Sequence, residues 1–268
     1  MNFMVFTKQN LIQQLATILV QYDKPDNFMD IMYVYERVKL GYLIGFDNQE
    51  HKREIIYTFK KEIAPLLEGL GLFISYKHGG YITYDRKLYQ NWNSTITFYF
   101  KRNQKGSYFL GYPICCETAW NNSPNLLSFS IYNILKRFLV EKDRKSRDLF
   151  IQFLMMRTTA PHFPCTVTCR ESIQWGGKLR TVQKKYAGFL PADYFAEKEQ
   201  FTKENTYDTV RTLSHAGVQR VFHKSLPFLR KNRQLFHLDD HFFQSAEDPV
   251  TDEAAFLKLV ARMEVYLK

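Results

Sequence analysis

All four cysteines of this 268-residue chain fall in two tight pairs, Cys115-Cys116 in GYPICCETAW and Cys165 with Cys169 in HFPCTVTCRES. Cysteines that serve only as small buried hydrophobes scatter along a sequence, so two pairs read as one constellation. The fold is therefore expected to bring residue 115 beside residue 165. Pro113 and Pro164 each stand one or two residues before the first cysteine of a pair. Proline suits the entrance of a helix, so both pairs are expected to open one, where the positive end of the helix dipole favours thiolate. On such a helix the Cys-x-x-x-Cys spacing puts Cys165 and Cys169 on one face, a turn apart.

Four thiolates suit a zinc site or an iron–sulfur cluster, 4Fe-4S included. Neither pair has the C-x-x-C spacing common in zinc ribbons. The CxxxCxxC pattern of radical enzymes is also absent, because Arg170, Glu171 and Ser172 follow Cys169. We expect metal binding at Cys115, Cys116, Cys165 and Cys169, with an iron–sulfur cluster ahead of zinc. With three cysteines as ligands, a cluster can serve an enzyme as Lewis acid or sulfur carrier. Three readings stay open beside it: inert packed thiols, a Cys165/Cys169 redox pair that needs the helix turn to unwind, and a metal-free thiol enzyme. His162 is a fifth ligand, a base for a thiol, or a loop histidine. Glu117 and Glu171, each two residues after a cysteine, are the acid–base candidates.

These two segments resemble a family of uncharacterised prokaryotic proteins that carries a GYP-x-CC motif followed by H-x-PC-x-x-x-C. Here the motifs stand as Gly111-Tyr112-Pro113-Ile114-Cys115-Cys116 and His162-Phe163-Pro164-Cys165-Thr166-Val167-Thr168-Cys169, and Glu171-Ser172-Ile173 continues the second. The resemblance covers residues 108–187. It implies that both cysteine pairs belong to one site, and it carries no established activity.

With 45% hydrophobic residues, 16% of the chain aromatic, and few glycines and prolines, the chain can bury a core and is not disordered. We expect an α+β fold: N-terminal helices with a small antiparallel sheet over 1–105, then a mainly helical domain over 106–268. Helical spacing of apolar residues predicts helices over 9–21, 28–40 and 50–68, separated first by a turn at residues 23–26. LFISYK-HGG-YITYD reads as a β-hairpin and residues 94–100, STITFYF, as a third strand. Further helices are expected over 125–140, 143–156, 165–187, 207–223 and 251–267. The N-terminal stretch lacks the pattern of a secretory signal, and no run reaches the ~18 apolar residues of a membrane span. A cytoplasmic protein with reduced thiols is the expectation.

The formal charge is +10, and lysines and arginines cluster, with Lys178, Arg180, Lys184 and Lys185 the set we assign to nucleic acid, RNA first. A solvated basic surface is the plainer alternative. His237-Leu-Asp-Asp-His241 has two imidazoles at i, i+4 but reads better as a polar turn than as a metal face. His215 and His223 are read as a half-buried pair on one helix. Gly176-Gly177 either lets a helix pack closely or breaks it. No phosphate-loop, HExxH or G-x-S-x-G signature is present.

Overall fold

The structure is a computed structural model that describes residues 7–22, 24–44, 56–57, 59–77, 80–100, 106–123, 125–159, 162–247, 258–259 and 261–263. It is α+β with mainly helical character and a three-stranded antiparallel sheet. The backbone contacts divide it into two units, residues 1–112 with 178–194, and residues 113–177 with 195–268.

In the first unit, α1 (Lys8–Gln21) begins at Thr7, whose hydroxyl accepts the Asn10 amide at 3.3 Å. It buries Ile12, Leu15 and Leu19 along one stripe. Helix α2 (Pro25–Tyr35) starts at Pro25 and ends earlier than the apolar periodicity predicts. Arg37 turns into the left-handed region at φ 58°, which stops the helix. Strand β1 (Gly41–Leu43) follows, a strand too short to carry a sequence signal.

The helix expected over 50–68 falls partly on residues 50–55 and 58, outside the described ones. Its described part is a π-helical turn, Phe59–Ile63, leading into α3 (Ala64–Gly69). Pro65 stands at the first turn of α3, and its missing N–H cannot close an α-helical bond back to the preceding turn. The hairpin is present as β2 (Phe73–Ser75) and β3 (Tyr81–Thr83), although its turn residues 78–79 lie outside the described residues. The strand order is β1-β3-β2, with Tyr42 opposite Ile82 and Ile74 opposite Ile82 on the other side.

Residues 94–100 are not a strand. They complete α4 (Arg86–Phe100). Asp85 Oδ1 accepts the Lys87 and Leu88 amides at 2.7 and 3.1 Å, which fixes the helix start. Leu88 and Trp92 then pack with Tyr81 and Phe109 in a buried cluster, Trp92 stacking on Tyr81 at 4.4 Å. A capped, anchored helix carries the β-branched residues beyond it, because propensity is the weaker term. After the short α5 (Gly106–Leu110), Gly111 at φ 79° lies 3.1 Å (measured to an added Cβ) from the Leu40 amide nitrogen, so only glycine fits there.

The second unit contains α6 (Ile114–Asn122), α7 (Leu126–Leu139), α8 (Arg144–Thr159), the first half of α9 (Arg170–Tyr186), α10 (Tyr194–Arg211), α11 (Ala216–Lys231) and α12 (Asp240–Glu247). Phe129 of α7 stacks on Phe222 of α11 at 3.7 Å, with Phe242 of α12 edge-on to Phe222. Helices α7 and α8 match the expected 125–140 and 143–156. The helix expected over 207–223 is interrupted by a 3₁₀ turn, Thr212–Ser214, and His215 caps the next helix. His215 and His223 therefore share no helix face; half-buried His223 contacts the Ala246 carbonyl at 3.0 Å. The helix expected over 251–267 lies mostly outside the described residues. Among the described residues no helix is long and apolar enough to cross a membrane.

Candidate metal centre

The two cysteine pairs arrive by different routes. Pro113 is the N-cap of α6, so Cys115 and Cys116 sit in its first turn, as expected. Cys165 and Cys169 are not on a helix face. Residues 163–169 form a turn, closed by the Cys169 amide on the Thr166 carbonyl at 3.3 Å, and α9 starts only at Arg170. Cys169 occupies the position before the helix: its carbonyl takes the Ile173 amide at 3.0 Å and its sulfur takes the Ser172 amide at 3.4 Å. A sulfur in the capping position replaces the usual oxygen, and it faces the positive end of α9. Pro164 therefore prepares a turn rather than a helix. The turn is tied to the rest of the unit by the Val167 amide, which donates to Ser130 Oγ of α7 at 2.9 Å.

All four thiols are buried, and their sulfurs lie within 4.8 Å of one another. Cys115, Cys116 and Cys169 form a triangle with edges of 3.8, 3.6 and 3.6 Å. The group can hold a metal ion. The Cys165 amide donates to the Cys116 sulfur at 3.3 Å, so two of the sulfurs receive backbone N–H groups. Four sulfurs packed this closely cannot all ionise without a cation among them. Accordingly the thiol hydrogen bond to Cys116, helped by Cys169 and burial and opposed by Cys165, pushes Cys115 up, and Cys165 is raised likewise with Cys115 as the largest cause. Hydrogen bonds from Cys115, Cys116 and Cys165, in that order, pull Cys169 down. The direction of these shifts favours ionisation at Cys169, at the helix N-terminus.

The acid–base candidates divide. Glu171 reaches the cluster: Oε2 lies 3.8 Å from Cys115 Sγ and 3.7 Å from Cys169 Sγ. Glu117 lies one residue beyond Cys116, in the first turn of α6. His162 is not beside a sulfur. Its Nε2 meets Ser172 Oγ at 3.0 Å, and Ser172 Oγ meets Cys116 Sγ at 3.0 Å, so a serine bridges the imidazole to the ligand. Trp175 packs edge-on against that imidazole at 4.7 Å.

Three residues join the site without having been singled out for it. Ser172 is the bridge just described. His237 lies in a turn at φ 54° while His241 lies on α12, so the two do not form the i, i+4 helix face that a metal pair would need. The His237 Nε2 stands 3.4 Å from Glu171 Oε2 at the rim of the cluster. Arg157 donates to the His162 carbonyl and lies 4.4 Å over the Phe163 ring, so it anchors the chain just before Cys165. Burial lowers its pKa to about 10. None of these contacts has a signature in local spacing.

Gly176 and Gly177 resolve as close packing at the first position only. A Cβ on Gly176 would meet Met156 Cγ at 2.5 Å, whereas one on Gly177 meets nothing within 4 Å. The basic set assigned to nucleic acid does not form one stripe. Lys178 and Lys185 are seven residues apart on one side of α9, and Arg180 and Lys184 point to another. Arg180 is half-buried, and Lys185 is paired with Glu36 at 2.7 Å. Comparison of the chain with protein-family models, curated proteins and solved structures finds no match in any of the three.

Proposed function

We propose that this is a zinc protein in which Cys115, Cys116, Cys165 and Cys169 hold one tetrahedral ion. The observation that carries the reading is the spacing of the sulfurs. Zinc–sulfur bonds of about 2.3 Å in a tetrahedron place the sulfurs about 3.8 Å apart, and the triangle edges here are 3.6–3.8 Å. An iron–sulfur cluster interposes its own iron and sulfide atoms between the cysteines and holds their sulfurs farther apart. The distances therefore favour a single ion over the cluster that the spacing of the sequence puts first.

Four protein ligands close a zinc coordination sphere, and a closed sphere is the mark of a structural site. The ion supplies the positive charge that lets four buried thiolates coexist. This chain supplies the rest. The Ser172 and Cys165 amides donate to sulfur, and Ser172, backed by His162, orients Cys116. Glu171 and His237 cover the rim. The result is a knot that ties the start of α6 to the start of α9.

Purified protein is expected to carry one zinc per chain and to lose it in Cys116→Ser. Cobalt taken up in its place should show thiolate-to-metal charge-transfer bands with tetrahedral ligand-field absorption. Iron accompanied by acid-labile sulfide would establish the cluster instead. A folded wild type that holds no metal and takes up no cobalt would refute both.

A further inference from the structure

The first unit contains a cavity of about 620 Å³ that none of the cysteines touches. Its wall includes Lys8 and Gln9 at the start of α1, Tyr35 and Arg37 at the end of α2, Tyr84 after β3, and Lys185 with Tyr186 at the end of α9. The volume lies within the range of small-ligand sites. Three cations line it against one carboxylate, Glu36, and that carboxylate is already engaged. Lys185 Nζ and Tyr186 Oη donate to Glu36 Oε1 at 2.7 and 2.5 Å. The cavity is left with a net positive wall interleaved with tyrosine faces.

Arg37 is the informative residue. The Val38 amide donates to the Tyr33 carbonyl at 2.9 Å and the Arg37 amide to the Val34 carbonyl at 3.0 Å. These are the two bonds of a Schellman cap, whose left-handed position is normally glycine. Here that position holds an arginine at φ 58°. Glycine would relieve that backbone, so the arginine side chain is the feature to explain. Its guanidinium lies 5.4 Å over the Tyr84 ring, on the cavity wall.

We propose that this cavity binds a nucleotide, with its phosphates on Arg37, Lys8 and the first amides of α1 and its base against the tyrosines. The first amides of a helix have no intrahelical partner and suit phosphate. A guanidinium matches phosphate oxygens in two-pronged fashion. A flat ring with a phosphate tail is the ligand class that uses both halves of the wall.

The test is calorimetric titration of the full chain with ATP, AMP, adenosine and inorganic tripolyphosphate. ATP is expected to saturate below about 1 mM, more tightly than adenosine or tripolyphosphate. Arg37→Gly should weaken ATP at least about tenfold while melting no lower than wild type, because glycine relieves the left-handed strain. Lys8→Gln, exposed at the first residue of α1, should weaken it about threefold, and Lys87→Gln, exposed and outside the cavity, should leave it unchanged. Absence of saturable ATP binding overturns the proposal. So does tripolyphosphate binding as tightly as ATP, which leaves the tyrosines without a role. An Arg37→Gly protein that binds like wild type, or that melts several degrees lower, also overturns it.

Discussion

Gly176 offers the sharpest test of how the knot is supported. It is buried in the first half of α9, four residues after Ser172, against Met156 of α8. An added Cβ would stand 2.5 Å from Met156 Cγ, 3.3 Å from its Cβ and 3.5 Å from its Cα. Carbon contacts settle near 3.5–4.0 Å, so the overlap with Cγ is about 1 Å. Methionine usually yields, and rotation about χ1 can move Cγ, but Cβ stays at 3.3 Å whatever the rotamer. Met156 must leave its rotamer, and the helices must give by a few tenths of an ångström. Overpacking of this kind costs about 1–3 kcal/mol, against a gain of about 1 kcal/mol from replacing glycine by alanine inside a helix. Gly177 isolates the second quantity, since its Cβ would meet nothing within 4 Å. Gly177→Ala is therefore expected to be neutral or stabilising, and Gly176→Ala to lie about 1–3 kcal/mol below it. That is a gap of roughly 2–10 °C in melting temperature for a chain of this size. Because the shift moves the segment that carries Cys169 and Ser172, Gly176→Ala should also release metal to a chelator faster than Gly177→Ala. Thermal denaturation and chelator competition measure the two effects. Equal behaviour of the two alanine variants would refute the close helix contact.

Two further outcomes concern the first unit. Lys39 Nζ is 2.7 Å from Asp30 Oδ1 with side chains only 3% and 17% exposed, and it lies over the Tyr33 and Tyr42 rings. Lys39→Ala leaves a buried carboxylate unpaired and should cost about 3 kcal/mol in urea unfolding, whereas a loss under about 1 kcal/mol would mean the pair behaves like a surface one. Burial first, then Asp30, raises Tyr33, Tyr42 and Tyr112, the last to about 12, and burial likewise raises Tyr81. The unfolded chain sheds these phenolic protons from about pH 10, before the folded one does. Stability is thus complete below pH 10 and falls above it by about 1.4 kcal/mol per pH unit for each such tyrosine. Circular dichroism should collapse together with the part of the tyrosinate absorbance that exceeds the share of exposed tyrosines such as Tyr22 and Tyr57, and full tyrosinate absorbance in a chain of unchanged dichroism would contradict the burial.

The sequence made the thiol cluster legible because its chemistry is written in residue type and pairing. Cysteines that occur only in pairs need no knowledge of the fold to be suspected of meeting. The hairpin and the helices α7 and α8 were legible for a similar reason, since their apolar periodicity is local. What escaped is whatever depends on long-range contact. Residues 94–100 have strand composition, yet they continue a helix fixed upstream by Asp85 and by the packing of Trp92. The Cys-x-x-x-Cys spacing suits a helix, yet the sulfurs converge from a turn, which leaves Cys169 free to cap α9. Ser172 and His237 enter the site through partners 56 and 66 positions away, beyond any local pattern. Arg37 and His237 break a further rule together. Each adopts the left-handed backbone that local reasoning reserves for glycine or asparagine. One stands on the cavity wall and the other at the rim of the thiol cluster. Lys142 adopts it too, at φ 63° and at neither site, so the backbone alone marks nothing; at Arg37 and His237 it coincides with a cavity wall and a thiol cluster, where the side chain has work that offsets the strain.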